Sequence, residues 1–231
     1  MNIVITGTHR GIGRSLAEYY LSHGDKVAGC ARHESDLQHE NYRHFTADVR
    51  EEAQVEQFAA GVRKEFGYID ALINNTGIAS MNHFLMTPIE TAKNLMNVNY
   101  FGSVICIRAF LNLLKKSEHP RIVNFTSVAV PLVLEGELAY ASSKAAIESM
   151  TKILARELGN FKITVNAVGP NPVYTDLIAK VPDEKMQRLL TRQAIHRLGE
   201  FEDVINVIDF YISPRSDFVT GQILYLGGVT R

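Results

Sequence analysis

The sequence holds only two cysteines, Cys30 and Cys106, both in apolar surroundings. Two such residues build no disulfide framework, so the expectation is a pair of buried free thiols in a reducing compartment. An excess of either charge is also lacking. The formal net charge is -1, which leaves no basic footprint for nucleic acid or an anionic membrane surface. Long apolar runs are missing; Arg108 interrupts one of the best, far short of a membrane span. Ile3-Val4-Ile5 already reads as a strand, which leaves no room for a signal peptide. Eight histidines are present, yet none forms a His-Glu-x-x-His pair and no Cys/His cluster occurs, so no metal site is expected. Low-complexity tracts, long linkers and repeats are absent too. The expectation is a soluble cytoplasmic protein with neither nucleic acid nor membrane as a partner.

What is present is an alternation of apolar strands and helical patterns along 231 residues, enough for one well-buried core. Strands are predicted at Asn2–Thr6, Lys26–Ala31, Tyr42–Ala47, Ile69–Asn74, Arg121–Thr126, Lys162–Val168 and Ile223–Leu226. Helices are predicted at Gly13–His23, around Val55–Phe66, from Ala92 to Lys116 with a break near Tyr100–Phe101, at Leu138–Leu158 and at Asp203–Ile212. Repeated β-α-β units with unalternated apolar strands predict one α/β domain over 1–231: a doubly wound parallel sheet of the Rossmann type, with helices on both faces. Ligands in such folds bind at the carboxyl ends of the strands, so the polar residues there carry the functional information.

The first of these ends is Thr6-Gly7-Thr8-His9-Arg10-Gly11-Ile12-Gly13. Glycines let a backbone turn sharply and approach a pyrophosphate, which then sits at the helix N-terminus. The spacing Gly-x3-Gly-x-Gly, after a strand and before an amphipathic helix, predicts a dinucleotide cofactor. NAD enzymes usually carry an acid at the end of the second strand to bind the ribose hydroxyls. Here that end reads Cys30-Ala31-Arg32, with no acid at the tip. Arg10 and Arg32 aimed at a 2′-phosphate favour NADP(H) over NAD by charge and bidentate geometry. Glu34 lies close by and opposes that preference.

Tyr140 and Lys144 are four residues apart on a predicted helix, so they share a face. A nearby cation favours phenolate and lowers a tyrosine pKa, which makes Tyr140 a candidate proton donor and acceptor.

The ordered set Thr6-Gly-x3-Gly-Ile-Gly13, Asp48-Val49, Asn74-Asn75-x-Gly77, Asn97-Val98-Asn99, Ser127, Tyr140-x3-Lys144, and Pro170 with Thr175 resembles the single-domain short-chain dehydrogenase/reductase family. The resemblance runs over nearly the whole chain. Arg197-Leu198-Gly199 and the ending Thr220-Gly221-Gln222…Gly227-Gly228 look like those of its 3-oxoacyl-[acyl-carrier-protein] reductases. The resemblance implies Tyr140 as general acid, Lys144 holding the nicotinamide ribose and lowering the Tyr140 pKa, and Ser127 polarising the substrate carbonyl. It implies that Asn99 holds a water linking Lys144 to solvent. Asp48 and Val49 would flank adenine, Asn75, Thr76 and Gly77 would line the adenosine ribose side, and Val173 and Thr175 would bind the carboxamide. It also implies a homotetramer or dimer paired through the Ala92–Lys116 and Leu138–Leu158 helices.

Three departures stand out. Thr76 replaces the usual alanine, Asn171-Pro172 replaces the usual glycine after Pro170, and Val128–Ala139 is rich in Val, Leu and Pro with two glutamates. Asn171 is expected to substitute for glycine through its tolerance of positive φ. A helical lid is expected over Val173–Arg197, with an apolar face at Leu177, Ile178, Val181, Met186, Leu189 and Leu190. A carrier-protein substrate wants a basic patch at the entrance. Lys115, Lys116 and Arg121 are the candidates, against Glu118, Glu135 and Glu137. The expected activity is hydride transfer between NADPH and a ketone or secondary alcohol, with a 3-oxoacyl thioester as one substrate class. A sugar, polyol or other specialised alcohol is the alternative, and a non-catalytic NADP(H) sensor is the rival from another class.

Overall fold

Apolar strands and amphipathic helices follow one another as the pattern demands. The structure is a computed structural model and describes residues 1–175, 181 and 183–229. The elements are β1 Asn2–Thr6, α1 Gly11–Ser22, β2 Lys26–Ala31, β3 Tyr42–Thr46, α2 Glu52–Phe66, β4 Ala71–Asn74, α3 Ile89–Met96, α4 Gly102–Leu114, β5 Arg121–Phe125, α5 Ala129–Leu132, α6 Leu138–Glu157, β6 Thr164–Gly169, α7 Asp183–Leu190, α8 Phe201–Ile212 and β7 Ile223–Tyr225.

The strands form one parallel sheet in the order β3-β2-β1-β4-β5-β6-β7. Both faces are covered, because successive strand residues point to opposite sides. Val4, Leu72 and Ile122 pack with Val62 of α2, Phe110 and Leu114 of α4 and Ile147 of α6. Ile3, Ile5 and Ile73 pack on the other face with Leu16 and Tyr20 of α1 and Ile208 and Tyr211 of α8. The hydroxyls of Tyr19 and Tyr20 donate to Asp209 at 2.6 and 2.8 Å and fasten α1 to α8. Asp70 accepts from the Asn2 amide at 2.8 Å and from Ser117 Oγ at 2.6 Å, a structural tie at the far edge of the sheet.

The strand order reverses between β1 and β4, and the cleft opens at the carboxyl ends there, as the topology requires. One expected break takes a definite form, and one element differs from the sequence pattern. The long helix expected from Ala92 to Lys116 is α3, a π-helical turn at Asn97–Phe101, and α4. The extra residue bulges where the Asn99 side chain leaves the helix to grip a neighbouring loop. Among its described residues the lid is helical at α7. Val173 bridges Gly199, and the amides of Ala194 and Ile195 donate to the Gly227 carbonyl, so both ends of the segment belong to the body of the fold. The expected lid residues Leu177 and Ile178 lie outside the described residues.

Candidate active site

The β1–α1 turn is built by glycine. Gly7 and Gly11 have φ of 78° and 60°, in the region that side-chain-bearing residues avoid. A Cβ on Gly13 would lie 2.2 Å from the Gly7 carbonyl oxygen, so the turn closes only with glycine there. Asn75 Nδ2 donates to the Thr6 and Gly7 carbonyls at 2.9 and 3.2 Å, and the Thr76 amide donates to Thr6 Oγ1 at 3.0 Å. The Asn75-Thr76 pair after β4 thereby clamps the turn after β1. Gly7, His9, Arg10, Gly11 and Ile12 line the cleft. Thr8 does not: it is fully buried, with its hydroxyl 2.9 Å from that of Tyr42.

The cleft has a volume of about 1820 Å³, room for a dinucleotide and a substrate together. Arg32, Asp48 and Val49 line it at the tips of β2 and β3. Arg50 chelates the Asp48 carboxylate through Nε and Nη2, which holds its pKa below the ordinary range. Glu34 accepts from Thr46 Oγ1 at 2.9 Å. On the other side, Thr175 Cγ2 lies 3.5 Å from where a Cβ on Gly11 would be. Pro170, Val173 and Thr175 therefore line the cleft across from the glycine turn. Open glycine backbone at the start of α1 and the cationic side chains of Arg10 and Arg32 fit a dinucleotide cofactor.

Ser127 stands just past β5, and Tyr140 and Lys144 stand on the first turns of α6. Tyr140 and Ser127 both face the cleft, and the Ser127 hydroxyl is near enough to the phenol to favour its ionised form. Lys144 is buried, 4% exposed, with Nζ donating to the Phe125 carbonyl at 2.9 Å and lying 5.9 Å from the Tyr140 ring centre. Burial pulls the Lys144 pKa down to about 8. Burial pushes Tyr140 up to about 12, against the lowering effect of the nearby Ser127 hydroxyl and with a further upward push from Glu137. The expectation that Lys144 depresses the phenol is thus not met in the cofactor-free protein. Desolvation outweighs the ammonium, whose charge is directed to the Phe125 carbonyl.

Asn99 sits in the π turn, fully buried. Its Nδ2 donates to the Ile78 carbonyl at 3.0 Å and to Ser143 Oγ at 2.9 Å, and its Oδ1 accepts from the Ile78 amide at 2.9 Å. It therefore ties the loop after β4 to α6 next to Tyr140. A Cβ on Gly77 would lie 3.3 Å from Lys144 Nζ and 3.4 Å from Asn99 Oδ1, which places the three residues together.

A family model described as Enoyl-(Acyl carrier protein) reductase matches residues 7–230. The chain belongs to the short-chain dehydrogenase/reductase family. It is 31% identical to the 3-oxoacyl-[acyl-carrier-protein] reductase FabG of Escherichia coli (strain K12), covering 97% of this chain and 95% of that protein. It is 30% identical to a 3alpha-hydroxysteroid dehydrogenase of Mediterraneibacter gnavus, over 99% of this chain and 96% of the relative. The ligand-free structure of Thermoplasma acidophilum aldohexose dehydrogenase superposes with a TM-score of 0.90 at 28% identity, covering 99% of this chain and 93% of that one. The protein is accordingly an oxidoreductase of alcohol and ketone substrates.

Against this family pattern, two expectations change. Asn171 does not supply positive φ; among the described non-glycine residues only Val133 and Lys162 do. Asn171 is instead buried, and its Nδ2 donates to the Arg197 carbonyl at 3.3 Å. Arg121 contributes nothing to a basic docking patch: it is 1% exposed and donates to the carbonyls of Pro120, Ser213 and Pro214. It opens β5, as Lys115 and Lys116 close α4, at the edge of the sheet away from the cleft.

Sequence reasoning missed Glu148. It lies one turn beyond Lys144, is buried, and accepts from Thr126 Oγ1 at 2.8 Å and from the Tyr225 hydroxyl. It fixes the α6 turn that carries Lys144 against β5 and β7. The i, i+4 spacing from Lys144 is the signal that was there to find.

Proposed function

We propose that the protein is an NADP(H)-dependent oxidoreductase that moves hydride between nicotinamide and a ketone or secondary alcohol, with Tyr140 as general acid and base. The carrying observation is Ser127 and Tyr140 facing one cleft with Lys144 buried behind them. The bound cofactor supplies or receives the hydride. Ser127 donates to the carbonyl oxygen of the substrate, and Tyr140 gives its proton to the oxygen as negative charge builds there. A phenol held at about 12 is fully in its donor form at neutral pH, which suits reduction. Asn99, beside Lys144, keeps the path through which the proton is replaced from solvent. Turnover of NADPH with a panel of ketones, followed by loss of its absorbance, tests the reading. A protein that binds NADPH but reduces no carbonyl would instead be the sensor.

Arg10 and Arg32 at the cleft support NADP(H), and the engagement of Glu34 by Thr46 lessens its opposition. The expected result for Arg10→Ala with Arg32→Ala is a roughly 10–100-fold rise in KM for NADPH, with that for NADH nearly unchanged. Equal losses with both cofactors would remove the assignment. Likeness to FabG supports a 3-oxoacyl thioester as substrate, and likeness to the aldohexose dehydrogenase supports a sugar.

In this reading the whole chain, 1–231, is one catalytic domain in the cytoplasm, lidded over about 173–197, and works as a homotetramer or dimer. Exposed Phe101 and Ile153, on the π turn before α4 and on α6, support pairing of those helices with a second copy. Light scattering is expected to return at least twice the chain mass; a monomer mass would refute the pairing.

A further inference from the structure

Glu137 has no part in the reaction described above, yet it sits beside the residues that do. It precedes α6 directly and lies three residues before Tyr140, one helical turn away on the same face. It is 6% exposed and lines the same cleft as Ser127 and Tyr140. Its backbone is fully engaged: the amide donates to Leu134 and the carbonyl accepts from Ala141 at 2.7 Å. Its side chain makes no capping bond to α6, and Oε2 has no hydrogen-bond partner among the described residues. The negative charge is felt by the Tyr140 phenol. Burial pushes the carboxyl up to about 7, with Lys185 of α7 pulling the other way.

A buried carboxyl with an unpaired oxygen costs stability, and among the described residues only the attraction of Lys185 offsets that cost. Such a group persists where a ligand completes it. We propose that Glu137 is a substrate-binding residue that accepts a hydrogen bond from a hydroxyl next to the substrate carbon that exchanges hydride. The proposal rests on Ser127 and Tyr140 being the carbonyl site. It deepens that reading by naming the substrate class: a hydroxyketone, with the corresponding vicinal diol or sugar in the reverse direction. A 3-oxoacyl thioester offers only carbonyl oxygens and C–H at that position. It would leave the carboxylate desolvated and face it with a like-signed dipole.

The test uses the full chain with NADPH and two ketones that differ by one hydroxyl, 2-hydroxycyclohexanone and cyclohexanone, together with an acetoacetyl thioester. Wild type is expected to favour the hydroxyketone in kcat/KM by roughly 10–100-fold, since a site built around a hydroxyl rejects the analogue lacking it. Glu137→Leu is expected to erase the preference by slowing the hydroxyketone alone, and Glu137→Gln to retain part of it. Both variants are expected to melt at or above the wild-type temperature. A lower melting temperature in both would make Glu137 structural and overturn the proposal. So would an equal loss on both ketones, or a wild-type preference for cyclohexanone or the thioester. The two layers separate cleanly. If Tyr140→Phe is inactive while the hydroxyl preference survives Glu137→Leu, only the Glu137 assignment falls. If wild type reduces neither ketone, or Tyr140→Phe reduces both, the carbonyl site itself is wrong and Glu137 falls with it.

Discussion

Tyr140→Phe is expected to keep NADPH binding and lose roughly 10²–10⁴-fold in kcat, the span that a positioned general acid contributes. The substitution removes one hydroxyl and leaves the ring in place, so the packing at the start of α6 stays. What disappears is the phenol hydroxyl beside Ser127 and with it the proton for the developing alkoxide. Apart from Lys144, the expected cofactor contacts come from other elements: the glycine turn after β1, the tips of β2 and β3, the loop after β4 and the loop after β6. Fluorescence titration with NADPH should therefore overlay the wild-type curve while turnover collapses. Retained turnover would mean that another group delivers the proton, and Ser127 or a water would become the candidate. A parallel loss of binding and turnover would mean that Tyr140 acts by holding the cofactor.

The parts of this site legible in the sequence are those set by local rules. Glycine spacing after a strand, unalternated apolar strands and an i, i+4 pair on a helix all encode their geometry within a few residues. Hence β1, the glycine turn and the Tyr140–Lys144 face lie where the sequence puts them. What sequence could not carry depends on what distant elements bring into contact. Arg121 looks like a surface cation until Ser213 and Pro214 close over it. Asn171 looks like a turn residue until the Arg197 carbonyl accepts from its side-chain amide. Tyr140 looks like an activated phenol until β5 takes the Lys144 ammonium and the fold desolvates the hydroxyl. The break near Tyr100–Phe101 was legible, but its partner was not: Asn99 pins the π turn to the Ile78 backbone twenty-one residues upstream.

The second large effect runs in opposite directions for activity and stability. Lys144→Met should abolish measurable turnover yet stabilise the cofactor-free protein at neutral pH. Burial lowers the Lys144 pKa from 10.5 to about 8, with no neighbouring carboxylate to offset it. At 1.36 kcal/mol per unit, that corresponds to about 3 kcal/mol of strain on the folded state. Methionine keeps most of the length and loses the charge, while the hydrogen bond to Phe125 is given up. The net gain is about 1–3 kcal/mol, or about 3–10 °C in Tm for a chain of this size. The sign follows from proton counting. Below pH 8 both folded and unfolded chains carry the Lys144 proton, and the wild type bears the full cost. Between pH 8 and 10.5 only the unfolded chain holds it, so wild-type stability from this group rises with pH. Above 10.5 neither does, and the cost is gone. The stability gap between variant and wild type should thus be widest at pH 7 and shrink by pH 10, when both are unfolded in urea side by side. Titrations common to both proteins cancel in that difference. A variant less stable than wild type at pH 7 would show that the Phe125 hydrogen bond outweighs desolvation. A gap that ignores pH would show that Lys144 titrates near its ordinary value and that its burial costs the folded state little.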